Sequence, residues 1–266
     1  MFSAEPSRTQ FDLNFQVFGF PVRVHPLFWL MALVTGFGGI DSDGIVLLTW
    51  FFAVFVSILI HELCHTFMIR RFGRDAHIVL YMMGGVAIEG RPSSHDGSSP
   101  WSFESYSDYR PRSRTPGEQI IISAAGPMIQ LLLAALVVGL VYATGGSAVS
   151  SGGVIPLPMP MLGGEMAKNE NLHLLAWFLI QINILWALLN LIPVLPLDGG
   201  QIALQILTQR NPWSGMQHAL WLSVIAGGAM AVFALTIGQQ FTMLLFASLA
   251  VSNYLTLQQN TGRRPW

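Results

Sequence analysis

Charge is what this chain lacks. Only 10% of its 266 residues are Asp, Glu, Lys or Arg, against about 25% in a soluble domain. Too few polar side chains remain to cover a water-facing surface, which excludes an ordinary soluble enzyme. A surplus of either sign is missing too, since 13 basic and 14 acidic residues leave a net charge of −1. No broad basic face is therefore available, and nucleic acid is not an expected partner. Cysteine is nearly absent. The single Cys64 cannot form an internal disulfide, so the redox compartment is not legible.

What is abundant is apolar. The hydrophobic class reaches 52%, with a mean hydropathy of +0.53, which also excludes disorder. Six apolar runs, 27–40, 45–69, 120–143, 172–194, 219–237 and 241–257, approach or exceed the ~20 residues that cross a ~30 Å hydrocarbon core. The first is the shortest and contains glycines. The last two are joined by a tight turn at Gly238. The expected fold is an all-α polytopic membrane protein with about six transmembrane helices and a small β element.

Phe11, Leu13, Phe15 and Val17 alternate with Asp12, Asn14 and Gln16. That is the period of a strand rather than of a cleavable leader. A second strand-like stretch, 78–88, is interrupted by Gly84-Gly85 and reads as a β-hairpin between spans two and three. The loops 90–117 and 145–171 are rich in Ser, Pro and Gly and read as flexible connections. We expect one membrane-embedded domain over 1–266. Its parts are a strand segment 1–26, spans one to three over 27–144 with the hairpin at 77–90, and spans four to six over 172–258.

Lys and Arg mark cytoplasmic loops. Arg8, Arg23, Arg70, Arg71, Arg74, Arg91, Arg110, Arg112, Arg114, Arg210, Arg263 and Arg264 fall in alternate segments, and only Lys168 falls on the opposite side. A split of twelve to one predicts a multi-pass cell-membrane protein with both termini and the hairpin cytoplasmic.

Ionisable groups within a span cost roughly 2.5–3.5 kcal/mol each, so His61, Glu62 and His65 need a reason to be there. Their order, His61-Glu62-Leu63-Cys64-His65, supplies one. Residues four apart share a helix face, so both imidazoles can reach one Zn²⁺. Glu62 is turned ~100° away, off the metal but close enough to take a proton from water. The bland alternative is a histidine pair hydrogen-bonded between packed helices, or part of a proton path.

A catalytic zinc usually has three protein ligands, and one other carboxylate lies in a span, Asp198 in Asn190-Leu191-Ile192-Pro193-Val194-Leu195-Pro196-Leu197-Asp198-Gly199-Gly200. Two prolines break the helix there, and the paired glycines allow close backbone approach. A role for Asp198 as the cap of a following helix at 201–207 is the alternative.

The helix 61–65 together with the 190–200 segment resembles the site-2 protease family of intramembrane zinc metalloproteases. The family pairs H-E-x-x-H with N-x-x-P-x-x-x-x-D-G. Further likenesses are Val22-Arg23-Val24-His25-Pro26, Arg70-Arg71-Phe72-Gly73, Gly84-Gly85, and Glu118 through Ala125-Gly126-Pro127. Gln130 stands where the family commonly has Asn, which puts a polar contact at that position in question. The likeness is to the compact form, without an inserted peptide-binding domain or nucleotide-sensing tail.

The resemblance implies cleavage of a substrate's transmembrane helix near the cytoplasmic side. It implies one Zn²⁺ held by His61, His65 and Asp198, with Glu62 as general base. Asn190 matches the motif's Asn and is expected to hold substrate or an oxyanion, an interhelical hydrogen bond being the alternative. Gly84 and Gly85 are expected to position substrate by strand addition, or else to form a plain structural hairpin. The expected partners are a transmembrane protein substrate, the lipid bilayer and a regulatory membrane protein. Two further readings are a transporter using the same donors and a catalytically silent scaffold. Glu62 speaks against the scaffold, and the scarcity of polar residues in spans five and six against transport.

Overall fold

The computed structural model describes residues 8–37, 44–82, 84–90, 114–150, 157–163 and 168–262. Five helices among them are long and apolar enough to cross a membrane. They are α2 (Gly44–Arg71), α3 (Pro116–Ala143), α4 (Glu170–Asn190), α6 (Gly215–Thr236) and α7 (Gln240–Gly262). Their outer faces are apolar: Leu132, Leu136 and Leu140 on α3, Ile225 and Val232 on α6, and Leu244, Val251 and Leu255 on α7 are all exposed. Lipid, not water, is the solvent for such faces, and the chain is a multi-pass membrane protein.

The first of the six expected spans differs. α1 (Pro26–Phe37) has 12 residues, about 18 Å of helix, less than the hydrocarbon core. Residues 38–40 of that run, and nearly all of the 90–117 loop, lie outside the described residues.

The chain groups into two compact units. The first comprises the described residues within Glu5–Arg112 and Ala125–Ala187. Its sheet has the order β1-β2-β3-β4, from β1 (Leu13–Val17), β2 (Phe20–Val24), β3 (Ala76–Tyr81) and β4 (Gly84–Glu89). The alternating segment that predicted a strand is β1, and the predicted hairpin is β3–β4, paired from Ala76↔Glu89 to Tyr81↔Gly84. β2 runs parallel to β3, with Val22 opposite Ile78 and Val24 opposite Leu80. β1 and β2 are joined by Phe18 and Gly19, both at positive φ (50° and 78°), as a two-residue hairpin turn requires. Arg70 at the end of α2 holds that turn. Its guanidinium donates to Phe18 O (3.3 Å) and Gly19 O (3.2 Å) and lies 3.6 Å over the Phe20 ring.

Two buried ion pairs tie the sheet further, Arg23–Asp12 at 3.0 Å and Arg74–Glu89 at 2.9 Å. Burial pushes the Asp12 carboxyl up, but hydrogen bonds from Thr9 and Arg23 outweigh it and hold the group below the usual range. Val22, Val24, Phe28, Ile58, Ile78, Leu80 and Phe178 form the core against which α1, α2, the sheet and α4 pack.

The 145–171 segment is a correction. Instead of a featureless flexible loop it carries β5 (Ser147–Ser150) paired antiparallel with β6 (Pro158–Met161). Gly146 and Gly163 serve close packing, since a Cβ on Gly146 would lie 2.1 Å from Met161 O and one on Gly163 2.5 Å from Gly145 C. Read from sequence, they signal only looseness.

The second unit comprises the described residues within Ser113–Ala124 and Leu188–Trp266. α3 begins in it with a reciprocal capping box. Glu118 N donates to Thr115 Oγ1 and Thr115 N to Glu118 Oε2, both at 3.2 Å, satisfying two free amides. α5 (Asp198–Arg210) precedes the α6–α7 pair, which turns at Gly238 (φ 75°). Gly227 lets the two helices close up, a Cβ there meeting Ala250 Cβ at 3.2 Å.

Candidate metal centre

In the first unit, α2 carries the two histidines into a buried position. His61, Glu62 and His65 are each at most 7% exposed, within the most hydropathic of the candidate spans. The helical spacing brings His61 Nε2 and His65 Nε2 to 3.0 Å, with the rings nearly perpendicular at 79°. Two nitrogen donors at ~2.0–2.1 Å from a tetrahedral zinc stand about 3.3 Å apart, so the pair fits one ion. The same separation would also suit a shared proton.

Gly126 on α3 faces the pair, and a Cβ there would lie 2.3 Å from His65 Nε2 and 2.6–2.7 Å from His61 Cε1 and Nε2. No side chain of α3 therefore stands between its backbone and the two nitrogens. One turn further on, Gln130 is fully buried, and its Oε1 lies 3.0 Å from His61 Nδ1. The polar contact left in question by the departure from Asn is therefore made.

Glu62 lies beside the hairpin. A Cβ on Gly85 would fall 2.3 Å from Glu62 Cγ and 2.6 Å from its Cδ and Oε1, so β4 presents bare backbone to the carboxyl. Gly84, at φ +106°, is pressed against Trp186 of α4, where a Cβ would meet the indole at 2.6 Å. Trp186 was not singled out in the sequence. Tyr81 belongs to the same corner. Burial pushes its phenol up, and the Glu62 charge adds to the effect.

Asp198 is in the second unit. It is the first residue of α5, whose N-cap is Leu197. It therefore stands inside the first turn, where the helix dipole favours a negative charge, and not ahead of the helix as the cap of a 201–207 segment would. The helix start rests directly on the preceding loop. A Cβ on Gly199 would lie 2.1 Å from Leu191 O, and one on Gly200 2.4 Å from Val194 C, so both glycines serve close backbone approach, as expected.

The loop contains a cis Leu195–Pro196 bond. Its backbone is gripped from two helices. Leu195 N donates to Ser223 Oγ (3.0 Å) and Asn253 Nδ2 donates to Leu195 O (2.7 Å). Sequence reasoning missed Ser223 and Asn253. The available signal was a lone polar group inside an apolar span, which is costly without a partner. Asn190 is the last residue of α4.

Comparison with known proteins agrees with this architecture. Residues 49–234 match the family model for peptidase family M50. A zinc metalloprotease of Methanocaldococcus jannaschii is 22% identical over 249 residues, covering 93% of this chain and 59% of the relative. A candidate zinc metalloprotease of Synechocystis sp. is 30% identical over 250 residues, covering 86% of this chain and 55% of the relative. The chain thus spans little more than half the length of these relatives. The fold matches the solved site-2 protease of Methanocaldococcus jannaschii with a TM-score of 0.54 at 18% identity, over 93% of this chain and 95% of that one. With its H-E-x-x-H helix inside the matched stretch, the chain belongs to peptidase family M50.

Proposed function

We propose that this protein is an intramembrane zinc metalloendopeptidase that cleaves transmembrane segments of other membrane proteins. The observation that carries the proposal is the pair of Nε2 atoms 3.0 Å apart on a membrane-length helix, with only the bare backbone of Gly126 packed against them from α3. Family membership and the names of the relatives support it. His61, His65 and Asp198, two imidazoles and a carboxylate of the kind a catalytic zinc takes, would hold the ion. When bound, zinc supplies Lewis-acid chemistry, acidifying water and polarising a carbonyl.

The remaining work belongs to the chain's own side chains. Glu62 takes the proton of the attacking water and passes it to the departing amine. Its burial against Gly85 holds the carboxyl in place. Asn190 steadies the substrate or its developing oxyanion. A substrate helix must unwind before it is cut, and its freed N–H and C=O groups need partners in lipid. β4 ends the sheet order, and its backbone passes directly against Glu62, so a substrate strand added there runs past the base. The distribution of basic residues supports a cell-membrane location with both termini cytoplasmic. Substrate choice rests on the spans, the hairpin or a regulatory membrane partner.

The decisive experiment uses the purified full chain with a transmembrane peptide in liposomes. Wild type is expected to hold about one zinc per chain and to cut within the apolar segment, whereas His61→Ala and Asp198→Ala lose both metal and activity. Zinc-free wild type, or cleavage surviving in those variants, would overturn the proposal. For strand addition, Val86→Pro is expected to reduce cleavage of a helical substrate by about tenfold or more while zinc content stays at the wild-type level. An unchanged rate would remove β4 from substrate binding.

A further inference from the structure

A metal-binding imidazole must present a lone pair to the ion, and which ring nitrogen does so depends on the hydrogen bond made by the other. For His61, the structure contains that bond. Its Nδ1 lies 3.0 Å from Gln130 Oε1, and Gln130 Nε2 makes a long 3.5 Å contact to Ser57 O. Ser57 in turn receives a 2.9 Å hydrogen bond on its Oγ from Asn183 Nδ2, which also donates to Leu179 O at 2.8 Å. Ser57, Gln130 and Asn183 are fully buried, and His61 is 2% exposed. The chain of contacts joins α2, α3 and α4 within a single compact unit.

The direction of every proton in this chain follows from its far end. A backbone carbonyl carries no hydrogen, so the Gln130 amide must turn its NH₂ toward Ser57 O. Its oxygen then faces His61, and an amide oxygen can only accept. His61 Nδ1 must therefore carry the hydrogen, which leaves the lone pair on Nε2, the atom that faces His65 Nε2. Gln130 also shares a face of α3 with Gly126, four residues earlier. One helix face thus packs its bare backbone against both Nε2 atoms and orients one of them.

We infer that Gln130 is a positioning residue for the metal centre, holding His61 in the Nδ1–H tautomer, with the Ser57 carbonyl dictating the orientation of its amide and Asn183 anchoring Ser57. The inference rests on the zinc-site reading above and assigns a role to three residues outside its ligand set. Outer contacts of this kind typically contribute 10–100-fold to metal affinity.

The test measures zinc affinity of the purified full chain by competition with a chromophoric chelator, alongside the visible spectrum of the Co²⁺-loaded form. Gln130→Leu keeps the bulk but removes the acceptor, and is expected to bind zinc 10–100-fold more weakly with a shifted Co²⁺ spectrum. Gln130→Glu keeps an oxygen that accepts from Nδ1–H, and is expected to restore affinity to within about threefold of wild type. Thermal unfolding of the metal-free proteins checks that the variants fold alike. Wild-type affinity in Gln130→Leu, or equal losses in the Leu and Glu variants, would overturn the inference while leaving the zinc site standing. Wild type that takes up no zinc would overturn the parent reading, and this one with it.

Discussion

Glu62→Gln is expected to leave zinc content unchanged and to lower the cleavage rate by on the order of 10²–10⁴-fold, the usual contribution of a positioned general base. Glutamine has nearly the same shape, so the packing against Gly85 is kept. What disappears is the capacity to take a proton. Because Glu62 is turned away from the histidine face, its replacement should not touch the ligand set. The discriminating measurement is single-turnover cleavage of a transmembrane peptide together with zinc per chain. Loss of rate with full zinc supports the base assignment. An unchanged rate would refute it, and loss of zinc would instead make Glu62 a ligand.

Gly126→Ala should act on the opposite side of the same machinery. The added methyl would lie 2.3 Å from His65 Nε2 and under 3 Å from two atoms of the His61 ring, distances no packed carbon tolerates. One or both imidazoles must swing away, or α3 must retreat from α2. Either movement displaces at least one of the proposed donors themselves, so zinc affinity is expected to fall by about 10²-fold or more, beyond the effect of a single outer contact. Alanine is the better helix former by about 1 kcal/mol, which makes generalised unfolding a poor explanation for the loss. Chelator competition reads the affinity, and far-ultraviolet circular dichroism should show undiminished helix. Wild-type affinity in this variant would mean that the close approach of α3 to the two Nε2 atoms does not shape the ion site.

The parts of this molecule legible in its sequence are those where one residue pattern admits one physical solution. His61 and His65 had to meet because four helical residues return to the same face, and the structure places them 3.0 Å apart. Alternation marked β1, and Gly84-Gly85 between apolar runs marked the β3–β4 hairpin. β5 and β6 were missed because Gly146 and Gly163 look identical in sequence whether they loosen a chain or let two backbones touch. Ser57, Asn183, Ser223 and Asn253 carry no local sign of their partners in the sequence. Each is hydrogen-bonded at α2 or at the Leu195 loop. The identity of a partner on another helix is tertiary information, which no local pattern carries.

The parallel pairing of β2 with β3 settles a question of parity. Hydrogen-bonded neighbours in one sheet lie at the same bilayer surface, yet α2, long enough to traverse the membrane, separates them in the chain. A single passage would strand β3 on the wrong side. The segment leading from β2 into α2 must therefore make the outward journey. Its 12-residue α1 supplies about 18 Å of that journey. The stubby helix thus belongs to one leg of a round trip, and the sheet can close only after both legs are complete.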